Sequence, residues 1–215
     1  ELYILPSGQG YESYSRAAFW RVMDRAKRGA TVLLTLGNGA VLSDLRETAG
    51  VLTESHYAQP SKHVVSAGAE PFAVSDSHTR NVSVTTANVL AKDDAGMPFL
   101  TVNRYGRGKV LFCNGSVETA APLSAEAVYR IAAAEAGVRR AVTVNQPSVG
   151  LTEHALDEGR VLVVAINYEP RPVDAALTVN GRIGKVYRGS VDDRRICLPP
   201  NDAAVFEVAA GKMPR

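Results

Sequence analysis

Two hydrophobic periods succeed one another at the start of the chain. Residues 2–6 (LYILP) form a short apolar run closed by proline and followed by a glycine-containing polar stretch, 7–10, which predicts a buried strand leading into a loop. Over 15–28, Phe19, Val22, Met23 and Ala26 recur at i, i+3, i+4 and i+7, while Arg16, Arg21, Asp24, Arg25 and Lys27 take the other face. That period predicts an amphipathic helix, with Gly29 where a C-terminal cap belongs. Residues 31–36 (TVLLTL) are apolar without alternation, as in a strand covered on both faces, and 37–39 (GNG) turn toward a short helix over 43–48. A β-α-β order of this kind predicts parallel pairing, because parallel neighbours need a helix-sized return.

The pattern then changes. Residues 52–88 carry only short Val- and Thr-containing runs, such as 63–66 and 82–86. Next come three strand-like segments, 89–92, 99–104 and 109–113, separated by the turn sequences DDAG and YGRG, which predict an antiparallel meander. Residues 124–136 predict a second helix, with Ser124 as N-cap, Glu126 in the first turn, Val128, Ile131 and Ala132 facing inward, and Gly137 beyond the end. After about Ala141 no helical period is left. Strands are expected at 161–167, 175–179, 185–187, 195–198 and 204–208, a spacing that fits a small antiparallel sandwich. The fold class expected is therefore α/β, an open sheet with helices over 1–141, followed by an all-β sandwich over 142–215, with the boundary carried by the stretch 145–148 (NQPS).

Composition narrows the function classes. The 215 residues are 46% hydrophobic and 21% charged, which is ordinary for a globular chain, and no apolar run approaches the length of a membrane span. Lys plus Arg (24) nearly balance Asp plus Glu (22), and the balance holds on both sides of residue 141. Nothing is concentrated to neutralise phosphate backbones, so no nucleic-acid or membrane partner is expected. Cys113 and Cys197 are too few for a disulfide framework, and no Cys/His spacing suggests zinc, so no metal or cofactor is expected and a reducing, cytoplasmic setting fits best. The chain begins with Glu1 immediately before a strand-like run, which suggests an internal piece of a longer protein.

Candidate chemistry is sparse. The turn at 37–39 sits where hydrolases of this class place a nucleophile elbow, but its apex is Asn38, and an amide is no nucleophile. His56, His63, His78 and His154 have no serine or cysteine in a nucleophile context, so loop and surface roles are expected. Asp93 and Asp94 read as turn residues rather than a catalytic carboxylate pair. Cys113, at the end of an apolar strand, reads as a small core residue with no adjacent cation, Lys109 being the nearest along the strand. Asn81 and Asn114 each open an Asn-x-Ser triplet of the glycosylation type.

Taken together, the segments FWRVMDRAKRGATVLLTLGNGAVL (19–42), GMPFLTVNRYGRGKV (96–110) and AEAVYRIAAAEAGV (125–138) resemble the C-terminal, non-catalytic region of clan A glycoside hydrolases, most closely family 42 β-galactosidases. The resemblance implies a class I amidotransferase-like, flavodoxin-like trimerisation domain followed by a small β-sandwich. It also implies that the amidotransferase triad has decayed, with Asn38 at the elbow, Cys113 where the histidine would stand, and Glu118 too far along to serve as the third member. The paired catalytic glutamates of such enzymes would lie in an upstream barrel. Implied partners are that barrel and further copies of the chain in a homo-oligomer. Tyr11 and Tyr14, in the loop after the first strand, would either face the barrel or a neighbouring subunit, or pack against their own domain. The alternative is an autonomous module that holds an oligosaccharide or other small molecule in the degenerate pocket beside Asn38 and Asn114.

Overall fold

The computed structural model describes residues 1–6, 15–35, 45–54, 59–67, 70–118, 122–192 and 194–210. The chain divides into two compact units, Glu1–Val138 and Arg139–Arg215.

In the first unit, β1 (Leu2–Leu5), α1 (Arg16–Lys27) and β2 (Thr31–Thr35) form the predicted crossover, and β1 pairs parallel to β2 with Leu2 opposite Thr31. The Ser15 hydroxyl caps α1 by accepting from the Ala18 N–H at 3.1 Å. Gly29, at φ +119°, ends it. Then follow α2 (Leu45–Thr48), β3 (Val51–Thr53), β4 (Gln59–Ala67), β5 (Glu70–Thr79), β6 (Val82–Val84), β7 (Asn88–Lys92), β8 (Pro98–Tyr105), β9 (Gly108–Cys113) and α3 (Pro122–Glu135). The main sheet runs β1-β2-β9-β8-β7-β4-β5, while β3 and β6 pair separately.

This sheet is mixed, joining the parallel crossover and the antiparallel meander that the sequence predicts. Only β1, β2 and β9 are mutually parallel; from β9 through β8, β7 and β4 to β5 every pairing is antiparallel. The connections decide this. Tight turns join β7 to β8 and β8 to β9, too short for anything but reversal. At the first of them Asp93 takes its turn role, its carboxylate accepting from the Met97 N–H at 2.8 Å. The weakly patterned middle contains a long hairpin, β4 against β5.

Both faces of the parallel strands are covered, which explains the missing alternation. Val32 and Leu34 of β2 and Val110 and Phe112 of β9 join Phe19, Met23 and Ala26 of α1 in one core. Leu33, Leu111 and Cys113 face the other way, into a core with Val128 and Ala132 of α3. That helix begins at Pro122, earlier than expected, since proline is well suited to a first helical turn, where no N–H is required. Ser124 is therefore inside the helix rather than its cap. Glu126 is not in the first turn; it pairs with Arg130 one turn on, at 2.5 Å.

The second unit holds β10 (Val142–Val144), β11 (Val149–Ala155), β12 (Arg160–Asn167), β13 (Val173–Val179), β14 (Gly181–Arg188), β15 (Ser190–Val191), β16 (Arg195–Leu198) and β17 (Ala203–Ala210). They form two antiparallel four-stranded sheets, β10-β13-β16-β15 and β11-β12-β17-β14, around one core that includes Val142, Val163, Leu177, Ile196, Leu198 and Phe206. The expectation that 145–148 separates the two units is corrected. These residues link β10 to β11 inside the second unit, and Asn145 is bound to β13, its side chain accepting from the Ala176 N–H at 2.9 Å. Asparagine and proline mark a turn here, not a linker. β10 and β11 were missed with it; the Glu153 carboxylate joins them, accepting from the N–H groups of Ala141 (3.2 Å) and Val142 (3.1 Å).

Asn167, fully buried, organises one end of this unit. Its amide nitrogen donates to the carbonyls of Arg171 and Pro199 at 2.8 Å, and its oxygen accepts from the Glu169 N–H at 2.8 Å.

Candidate functional site

The parallel strands β1, β2 and β9 end on the same edge of the sheet, at Leu5, Thr35 and Cys113. Open sheets place their ligand crevices on that edge, because the loops leaving parallel strands diverge there. Tyr11, Tyr14 and Asn38, expected on two of these loops, lie outside the described residues, as does His56.

What the structure shows at this edge is a carboxylate held by hydroxyls. Glu118, half-buried just beyond β9, accepts from Thr35 Oγ1, which lies 2.7 Å and 2.9 Å from its two oxygens, and from the Tyr129 hydroxyl of α3 at 2.8 Å. Sequence reasoning set Glu118 aside as too distant along the chain. Its partners come from β2 and α3, and only the fold brings them together.

Cys113 sits beside this group, wholly buried. Desolvation pushes its thiol well above the ordinary value of 9.0, the nearby Glu118 charge pushes further the same way, and the Gly115 N–H opposes them. The thiol is neutral and directed into the core of β9 and α3. Lys109, on the same strand, is turned to the end of α3, where its ammonium donates to the Glu135 carboxylate at 2.8 Å.

Asn114 is brought to the same edge but turned to a different purpose. Only 2% exposed, it uses its side-chain amide as a strand would use its backbone: Oδ1 accepts from the Arg80 N–H at 3.0 Å and Nδ2 donates to the Arg80 carbonyl at 2.7 Å. It fastens the segment after β5 to the central sheet. A buried, doubly bonded amide also leaves no room for a glycan. His154 is exposed on β11 in the other unit.

Chemically, this edge offers a carboxylate already supplied with two donors and a neutral thiol. The hydroxyls in reach of that carboxylate are those of Thr35 and Tyr129. Among the described residues no three His, Cys, Asp or Glu side chains gather in a way that could hold a metal ion. No described helix is long and apolar enough to cross a membrane.

The fold defines an architecture: a helix-covered mixed sheet, and as a separate unit two antiparallel four-stranded sheets around one core. No protein-family profile matches the chain, nor does any curated protein. Solved structures do match. A β-galactosidase from Bacillus circulans sp. alkalophilus aligns over 97% of this chain at 16% identity and a TM-score of 0.68, covering 32% of the galactosidase. A GH42 β-galactosidase from G. stearothermophilus aligns over 97% at 16% identity and a TM-score of 0.61, covering 31% of that chain. A cold-adapted β-galactosidase from Rahnella gives 90%, 17% and 0.63, with 30% of its length covered. The resemblance to family 42 β-galactosidases thus holds at the level of the fold. The chain spans about a third of the length of each of these enzymes.

Proposed function

We propose that the chain is a structural and oligomerising region of a glycoside hydrolase, with the catalytic glutamates on a separate barrel of the parent protein. In this reading residues 1–141 descend from a flavodoxin-like, class I amidotransferase-like domain whose parallel half survives as β1, β2 and β9, and 142–215 are an accessory β-sandwich. Binding partners are the barrel and further copies of the chain, with Tyr11 and Tyr14 on the loop that meets them.

The observation that carries the reading is the state of the strand edge, where Cys113 is neutral and sealed in the core and the Glu118 carboxylate is bound to Thr35 and Tyr129. A thiol-dependent acyl-transfer enzyme needs an ionisable cysteine there. The alternative, a small-molecule site beside Asn38 and Asn114, would require Asn114 to give up two backbone hydrogen bonds that hold the sheet together.

The test is the purified chain, assayed with chromogenic galactosides, mannosides and glucosides and with glutamine, alongside sedimentation velocity. No turnover and a defined oligomer are expected. Reproducible turnover abolished by Cys113→Ser or Glu118→Gln would overturn the proposal.

A further inference from the structure

The end of the sheet away from Glu118 carries a cavity of about 400 Å³, lined by Asn88, Val102, Arg104, Arg107, Lys109 and Glu135. Its charges are unusual in their placement. The register of β8 and β9 sets Arg104 directly opposite Lys109, and like charges in that relation weaken a strand pair. Arg107 adds a third cation from the turn between the two strands. Against these stands one carboxylate, Glu135, already committed to the Lys109 ammonium at 2.8 Å, with the Glu135 carbonyl accepting from the same ammonium at 3.2 Å. Among the described residues neither Arg104 nor Arg107 has an ion-pair partner.

A lone surface arginine needs no partner, since water solvates it at little cost. Two guanidinium groups and an ammonium gathered around one concavity differ, because low-dielectric walls concentrate their potential inside it. Three cations less one carboxylate leave two positive charges. The Asn88 amide adds polar hydrogen-bonding capacity, and Val102 supplies an apolar patch of wall.

We propose that this cavity binds a compact oxyanion, phosphate or sulfate, either free or carried on a small polar ligand. Guanidinium groups match the geometry of such oxygens with paired, charge-assisted hydrogen bonds. The volume lies within the range of small-molecule sites, about 300–1,000 Å³, so there is room for a ligand body beyond the anion. The site is separate from the Glu118 edge and does not depend on the glycosidase reading.

The experiment is calorimetric titration of the whole chain with inorganic phosphate, sulfate, glucose 6-phosphate and glucose, with ionic strength held constant by sodium chloride. Saturable binding of the anions at one site is expected, with none for glucose. Arg104→Gln and Arg107→Gln should each weaken it about tenfold, the loss of one charged hydrogen-bonding partner. Arg182→Gln, on β14 of the other unit, should leave it unchanged. Tighter binding of glucose 6-phosphate than of phosphate would assign the anion to a larger ligand; equal binding would assign it to the free ion, and either supports the proposal. Absence of saturable binding, indifference to both cavity variants, or equal weakening by Arg182→Gln would overturn it. Circular dichroism of each variant separates lost binding from lost folding, and both arginines are exposed enough to be replaced without disturbing the core.

Discussion

Replacing Gly108 by alanine is expected to unseat α1 from the sheet. A Cβ at this position would lie 2.0 Å from the Ala30 carbonyl oxygen and 2.4 Å from that of Ala26. Both are backbone atoms, so no side-chain rotation relieves the clash. The same contact carries two hydrogen bonds, from the Arg107 N–H to Lys27 O at 3.0 Å and from the Lys109 N–H to Ala30 O at 3.1 Å. Overpacking costs about 1–3 kcal/mol and each hydrogen bond a net of about 0.5–1.5 kcal/mol, which together give about 2–6 kcal/mol. Gly50→Ala combines a clash with strain: its Cβ would meet Thr86 Oγ1 at 2.6 Å and Ala87 N at 2.7 Å, and its φ is +67°, adding about 1–2 kcal/mol. Gly159→Ala is the control. With nothing within 4 Å of its Cβ, it should be neutral or stabilise by up to about 1 kcal/mol through the unfolded chain. Trp20 is the single tryptophan and packs against the α1 core, so urea unfolding followed by its fluorescence reads the first unit alone; Gly159→Ala is followed by far-UV circular dichroism. A loss below about 0.5 kcal/mol for Gly108→Ala, against the overpacking range, would refute the close approach of α1 to the β8–β9 turn.

Other consequences can be measured in the same way. Because burial raises the Cys113 thiol above its ordinary value of 9.0, the folded state keeps a proton that the unfolded state releases. This contribution is intact below pH 9.0 and is lost above it at about 1.4 kcal/mol per pH unit; Cys113→Ala should remove that part of the slope in urea midpoints measured with rising pH. Thr35→Val should cost about 1–2 kcal/mol by stripping a donor from Glu118, and a double-mutant cycle with Glu118→Gln should show coupling, whereas additive effects would deny the contact. Asn167→Ala leaves the Arg171 and Pro199 carbonyls and the Glu169 N–H without their partner, a loss of about 2–4 kcal/mol. Hydrogen exchange should show the Glu169 amide losing protection, and with it the Asn201 amide, which donates to the Glu169 carbonyl at 3.1 Å.

Local signals in the sequence were enough to place several elements. The period of Phe19, Val22, Met23 and Ala26 and the terminating Gly29 define α1, because helix formation depends on residues within a few positions of one another. The unbroken apolar run of β2 foretold a strand covered on both faces, and the turn residues at 93–96 and 105–108 foretold the meander. Where competing local signals met, tertiary contacts chose. Proline at 122 outranked serine at 124 as the start of α3, and 145–148 became an internal turn because β10 pairs with β13 and joins β11 through Glu153. The order of strands in the mixed sheet was not legible, since apolar runs on both sides of a sheet look alike whichever neighbour they pair with. The Glu118 cluster was hidden for the same reason on a larger scale. Thr35 and Glu118 are 83 positions apart, and no local pattern marks a hydroxyl and a carboxylate as partners. Local patterns in the sequence set α1, β2 and the β7–β9 meander; the burial of Cys113, the backbone-like role of Asn114 and the meeting of Thr35, Tyr129 and Glu118 were decided by long-range packing.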